Sequence, residues 1–173
     1  LYLVAEVLLI GAVLMVAYFS YRAATSVPWV RTDQSISRAM LELVDIREGE
    51  TVLDLGSGDG SIVLEAARSF GAKGIGVEQI GVLVLISKLR ARLQGIQNFT
   101  EFKRANMFKI TPPKADVITA YLFDEVNLKL EPILIEHFPS KTRVVSREFV
   151  FPGFNHIKTI SFKKSKLHLY ELP

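Results

Sequence analysis

Val52-Leu53-Asp54-Leu55-Gly56-Ser57-Gly58-Asp59-Gly60 is an apolar strand that runs into a glycine-rich turn, and a helix pattern opens directly after it at Ser61. A second apolar run, Gly74-Ile75-Gly76-Val77, ends on the acid Glu78. An α/β sheet uses this layout to bind a nucleoside. Glycines let the backbone approach the ligand, and an acid at the next strand tip accepts from ribose hydroxyls. A dinucleotide site expects G-x-G-x-x-G, with a helix N-terminus aimed at a pyrophosphate. Here the run is G-S-G-D-G, with Asp54 before it and Asp59 inside it. Two carboxylates at one loop repel a pyrophosphate and suit a cationic ligand.

Outward from this stretch the pattern alternates. Asp33 or Ser35 is expected to cap a helix running to about Val44, since Ile36, Ala39, Met40, Leu43 and Val44 recur at helical spacing. After the second strand the spacing predicts a helix over 82–94, stopped at Gly95, and a strand near 99–105. A Pro112-Pro113 loop, a strand over 116–122, a helix over 126–137 and a strand over 143–148 follow. Two last strands, 157–163 and 167–172, flank Lys164-Ser165-Lys166 with no helix between them, so an antiparallel edge is expected. Short connections between alternating elements imply an α/β, Rossmann-like sheet that is mostly parallel, with helices on both faces.

The N-terminus differs in kind. Leu1 to Phe19 is apolar except for Glu6, and about twenty helical residues match the hydrocarbon thickness of a bilayer. The composition predicts a transmembrane anchor over 1–22, a linker over 23–32 and a catalytic domain over 33–173. Arg22, Arg31 and Arg38 follow the span and no Lys or Arg precedes it, which puts the domain on the cytoplasmic side of a single-pass protein.

Several chemistries are excluded or disfavoured. The chain has no Cys, so a disulfide framework, a thiolate zinc site and a Cys nucleophile are ruled out. His137, His156 and His168 lack ligand spacing, and no metal is expected. A net charge of +3 does not by itself argue for nucleic acid, and Lys163-Lys164-Ser165-Lys166 reads as a solvated turn.

The glycine loop resembles motif I of the class I S-adenosylmethionine-dependent methyltransferases, whose cofactor carries an ammonium and a sulfonium. Tyr121-Leu122 and Thr142-Arg143-Val144-Val145-Ser146-Arg147-Glu148-Phe149 narrow the resemblance to the FAM173-type protein-lysine methyltransferases, which include membrane-anchored mitochondrial enzymes and archaeal relatives. Pro28-Trp29-Val30 is similar to that family's pre-core element. The chain departs from the family at Arg31, where a proline is usual, and at Ser61, where an arginine is usual. The resemblance implies that Gly56, Ser57, Gly58 and Gly60 pass under the methionine part and sugar of S-adenosylmethionine. It implies that Asp54 helps hold the ammonium, that Glu78 takes the ribose hydroxyls and that Asn106 accepts from the adenine amino group. Its implied acceptor is a lysine of a protein, expected to be membrane-associated.

A lysine amine has an ordinary pKa near 10.4 and must lose a proton before it attacks a sulfonium methyl. A desolvated pocket lowers that pKa, and aromatic rings can hold the cation first. Tyr121 and Trp29 are the candidate rings, with Asp124, Thr32 and Glu148 as candidate polar contacts. Two other readings stay open. One is a small or lipid-borne acceptor, and the other is a non-catalytic S-adenosylmethionine-binding membrane module.

Overall fold

A computed structural model describes residue 6, residues 9–15 and residues 31–173 of the chain. These fall into two units, residues 1–30 and 31–173. In the first, residues 9–15 are helical and exposed. Among the described residues no helix is long and apolar enough to cross a membrane. The expected anchor over 1–22 is therefore corrected, and the single-pass placement that rested on it falls with it. Apolar composition is necessary for a span, but it does not suffice. The other residues of that segment, residues 23–30 of the expected 23–32 linker and the candidate Trp29 lie outside the described residues.

The second unit is built on one seven-stranded sheet in the order β3-β2-β1-β4-β5-β7-β6. Its strands are β1 Thr51–Leu55, β2 Lys73–Glu78, β3 Thr100–Arg104, β4 Val117–Ala120, β5 Arg143–Arg147, β6 Asn155–Phe162 and β7 Ser165–Glu171. The first five are parallel, and β7 lies antiparallel between β5 and the edge strand β6. The expected α/β sheet is thus present. The antiparallel strand itself sits one place in from the edge, because the hairpin folds back between β5 and β6.

Four α-helices cover the sheet: α1 Gln34–Leu43, α2 Ser61–Phe70, α3 Gly81–Leu93 and α4 Asp124–His137. Asp33 caps α1 by accepting from the Ser35 backbone N–H at 2.8 Å. The α1 stripe Ile36, Ala39, Met40 and Leu43 packs with Ile62 and Ala66 of α2 over Val52, Val117, Val145 and Leu167. A second cluster joins Val63 and Leu64 of α2 to Val84 and Ala91 of α3 and Phe102 of β3. At the base of the sheet, Arg143 donates to the Val44 and Asp45 carbonyls and pairs with Glu50, which fixes the end of α1 against β1 and β5. Lys163 reaches Asp33 at 3.6 Å, so the basic turn is tied to the cap of α1 rather than purely solvated.

Chain direction sets the site. From β1 the crossover runs one way, to β2, and from β4 it runs the other way, to β5. Right-handed crossovers then place α2 and α4 on opposite faces. They leave a crevice at the carboxyl ends of β1 and β4, where ligands of such sheets bind.

Candidate cofactor and acceptor site

Asp54 and Thr119 stand opposite each other in the β1–β4 register, at the mouth of that crevice. The Thr119 hydroxyl donates to Asp54 Oδ1 at 2.7 Å. Asp54 is only 3% exposed. Burial pushes its pKa up to about 7; the Thr119 hydrogen bond opposes the shift, and the charges of Glu78 and Asp59 add to it. The carboxyl therefore sits in the sheet with acidic neighbours and a hydroxyl as its hydrogen-bond partner, and among the described residues no cation pairs with it.

The glycine loop wraps the neighbouring strand tip. The backbone N–H groups of Gly56 and Ser57 both donate to the Val77 carbonyl, at 2.9 and 3.1 Å. Glu78 then bridges the two sides, accepting from Gly58 N–H at 2.9 Å and from Ile80 N–H at 2.8 Å. Gly60 has φ +78°, and a Cβ there would lie 2.7 Å from the Phe102 ring. Gly76 is bare for a related reason, since its Cβ would fall 2.6 Å from Ser57 Oγ. Ser57 Oγ is buried without a hydrogen-bond partner among the described residues.

Asp59 goes elsewhere. Arg31 Nε lies 3.2 Å and Arg90 Nη1 2.6 Å from its Oδ2, and Ser61 Oγ donates to its Oδ1 at 2.7 Å. Arg90 also donates to the Asp59 carbonyl at 2.6 Å. One of the two loop carboxylates is therefore neutralised by arginines from outside the loop. The anionic wall consists of Asp54 and Glu78. Sequence reasoning missed Arg90 because it lies 31 positions from Asp59. Ser61 leaves the loop without its own arginine, and that was the available signal.

Asn106 follows β3 as expected, but its Oδ1 accepts from the Phe108 backbone N–H at 2.9 Å. It holds its own turn in this way. Thr32 lines a polar groove with Ser61, Glu65 and Arg90, beside α2 and α3.

Beyond β4 the aromatic residues gather. Tyr121 stacks on Phe149 with centroids 6.1 Å apart, and Phe123 meets Phe149 edge-on at 5.1 Å. The Arg147 guanidinium lies 4.2 Å from the Tyr121 centroid. Asp124 is the first residue of α4 rather than its cap, and its Oδ1 accepts from Val150 N–H at 2.9 Å. Asn127, fully buried, donates to the Val150 carbonyl at 3.1 Å, so α4 grips the 148–150 segment twice. That segment turns at Glu148, whose φ is +65°, with Phe149 N–H donating back to the Arg147 carbonyl at 2.8 Å. A γ-turn of this sign is strained for a residue with a side chain. It is held by Glu148 N–H on the Lys166 carbonyl, and by His168 against the Glu148 carbonyl. Arg147 and Phe149 fall in the Thr142–Phe149 motif but were given no site role by the sequence, and nothing local marks Asn127.

An α/β sheet of this order, with a glycine loop and two buried carboxylates at the strand tips, defines a class I, S-adenosylmethionine-dependent methyltransferase. The chain belongs to the ANTKMT methyltransferase domain family, which residues 54–158 match. It is 32% identical over 147 residues to a protein-lysine N-methyltransferase of Saccharolobus islandicus, covering 82% of this chain and 89% of that protein. It is 28% identical over 146 residues to the adenine nucleotide translocase lysine N-methyltransferase of Mus musculus, covering 84% of this chain and 63% of that protein. The chain spans about half the length of other animal lysine N-methyltransferases that it matches. A crystal structure of an RNA methyltransferase from Salinibacter ruber, in complex with S-adenosyl-L-homocysteine, superposes with a TM-score of 0.80 at 36% identity, covering 83% of this chain and 94% of that one.

The residues present fit the cofactor. A buried carboxyl lacking a cation suits an ammonium, and a glycine backbone bonded directly to a strand-tip carboxylate forms a wall for a ribose.

Two outcomes follow from this geometry. Folding raises the Asp54 pKa, so its contribution to stability is fully present below the ordinary carboxylate pKa and is lost as pH rises through about 7. In thermal melts of the ligand-free chain, Asp54→Asn should therefore be more stable than the native chain at pH 8, with the gap closing towards pH 5; an equal gap at both pH values would contradict this. Arg90→Ala should leave Asp59 held only by Arg31 and Ser61, loosen the loop and weaken S-adenosylmethionine binding about tenfold by calorimetry, as for a lost charge-assisted contact. An unchanged affinity would show that the loop holds itself.

Proposed function

We propose that this chain methylates the side-chain amine of a lysine in a protein. The observation that carries the reading is the aromatic mouth of Tyr121, Phe123 and Phe149 at the ends of β4 and β5, next to the cofactor carboxylates. The lysine-methyltransferase names of the archaeal and animal relatives support the same acceptor. The catalytic unit is taken as 33–173, with Arg31 and Thr32 packed as part of the same compact unit.

S-adenosylmethionine supplies, when bound, a methyl group on a positively charged sulfur. Asp54 would hold its ammonium, Glu78 its ribose hydroxyls, and Gly56, Ser57, Gly58 and Gly60 the backbone path beneath it. Asn106 would offer the adenine edge its amide N–H groups, since its oxygen is engaged by Phe108.

The chain's own residues prepare the acceptor. Rings that exclude water disfavour a charged amine and lower its pKa from about 10.4. The Arg147 cation on the Tyr121 ring pushes the same way, by like-charge repulsion. Tyr121 thus acts as a wall already occupied on one face by a guanidinium. The proton leaves through the exposed rim, where the Asp124 and Phe123 side of the mouth meets solvent. Orientation and exclusion of water then carry the rate.

The test is transfer of label from S-adenosylmethionine by the full chain into an extract of its source cell. Methyllysine in a digested protein band is the expected result. Label confined to RNA or to a lipid extract would contradict the reading. Tyr121→Ala should lower kcat/KM for the labelled protein by tenfold or more, roughly the loss of one oriented pocket wall, with cofactor affinity unchanged. An unchanged kcat/KM would remove Tyr121 from the acceptor site.

A further inference from the structure

Helix α3 is apolar on two faces, and only one of them is packed. Leu83, Val84, Ser87 and Ala91 are its buried residues, with Val84 and Ala91 in the cluster with α2 and β3. On the opposite side Val82, Leu85, Ile86, Leu89 and Leu93 are exposed by 61%, 66%, 40%, 55% and 78%. At 100° per residue these five fall within an arc of about 100° and form one seam about 16 Å long. A helix that is apolar all round belongs in an interior. This one is set against the sheet on one side and left open on the other.

The charges that α3 itself carries beside the seam are all of one sign. Lys88 and Arg92 border it on one edge and Arg90 on the other, and α3 contains no acidic residue. An antiparallel pairing of two α3 helices would set Lys88 and Arg92 against their own copies, which disfavours a second copy as occupant, while Arg90 is already paired with Asp59. The seam is one helix wide, with its side chains spaced three and four apart. Two amphipathic helices that pair along their length meet through rows of this spacing.

We propose that this seam docks an amphipathic helix of a partner protein whose apolar stripe is flanked by Asp or Glu. Apolar side chains at helical spacing fill the row from Val82 to Leu93, and the flanking acids face Lys88 and Arg92. The seam begins four residues after Glu78, so the partner helix runs from the rim of the cofactor crevice along the outside of α3. This docking does not depend on which group the enzyme methylates.

The experiment uses the full chain and a synthetic helical peptide of about 20 residues, long enough to hold a helix. Its leucines follow the 3-4 spacing and are flanked by Glu, and a control peptide carries Lys in those places. Fluorescence anisotropy should show binding of the Glu peptide and none of the Lys peptide. Leu85→Ser/Leu89→Ser should weaken the Glu peptide at least tenfold while cofactor affinity stays unchanged, which shows that the variant folds. Lys88→Glu/Arg92→Glu should exchange the preference, losing the Glu peptide and gaining the Lys peptide. Equal binding of both peptides, binding of neither, or binding indifferent to the leucine changes overturns the proposal. Sedimentation that shows self-association abolished by Leu85→Ser/Leu89→Ser would assign the seam to a second copy. Binding of anionic vesicles through the same leucines, not competed by the Glu peptide, would assign it to lipid; either result overturns the proposal.

Discussion

A carboxyl group buried in a sheet without a cation is the constraint on which the site is organised. Asp54 lies on β1, an interior strand, in register with Gly76 on one side and Thr119 on the other. Its position in the ladder fixes it there, and Thr119 provides a hydrogen bond but no charge. Folding therefore holds an acid where water cannot solvate it, and stability is lost when that acid ionises. A ligand bearing an ammonium removes the deficit on binding. Recognition of the cofactor is in this sense prepared by the free protein.

The rest of the crevice follows from that placement. Glu78 adds its charge to the burial of Asp54 and is held at the next strand tip by the N–H groups of Gly58 and Ile80. The third acid, Asp59, is drawn away by Arg31 and Arg90 and serves as the loop's anchor. On the acceptor side the strained turn at Glu148 carries Phe149 against Tyr121 and Phe123, and α4 holds it through Asp124 and Asn127. Strain at one residue is tolerated because hydrogen bonds from α4 and from β7 fix the backbone around it.

The part of this that could be read from the sequence is the part that is local. A strand, a glycine turn and an acid at the next strand tip lie within 27 residues, from Val52 to Glu78, so the fold and the cofactor wall were legible there. Destinations that depend on distant partners were not. Asp59 looks like a ligand group until Arg90 is brought across from α3, and the turn that the Asn106 oxygen closes on the Phe108 N–H is not visible in the sequence. The partnership of Arg147 with Tyr121 exists only because β4 and β5 pair. The apolar N-terminal run shows the opposite failure. Its composition suggested a membrane span, but among the described residues no helix is long and apolar enough to cross a membrane.

The most direct test of the account is the proton balance of cofactor binding. Calorimetric titration of the full chain with S-adenosylmethionine at pH 6, in buffers of different ionisation enthalpy, counts the protons exchanged. If the ammonium binds an ionised Asp54 whose pKa in the free protein is about 7, the native chain should release close to one proton and Asp54→Asn should release none. Binding of the native chain without proton release would contradict the central role given to that carboxyl.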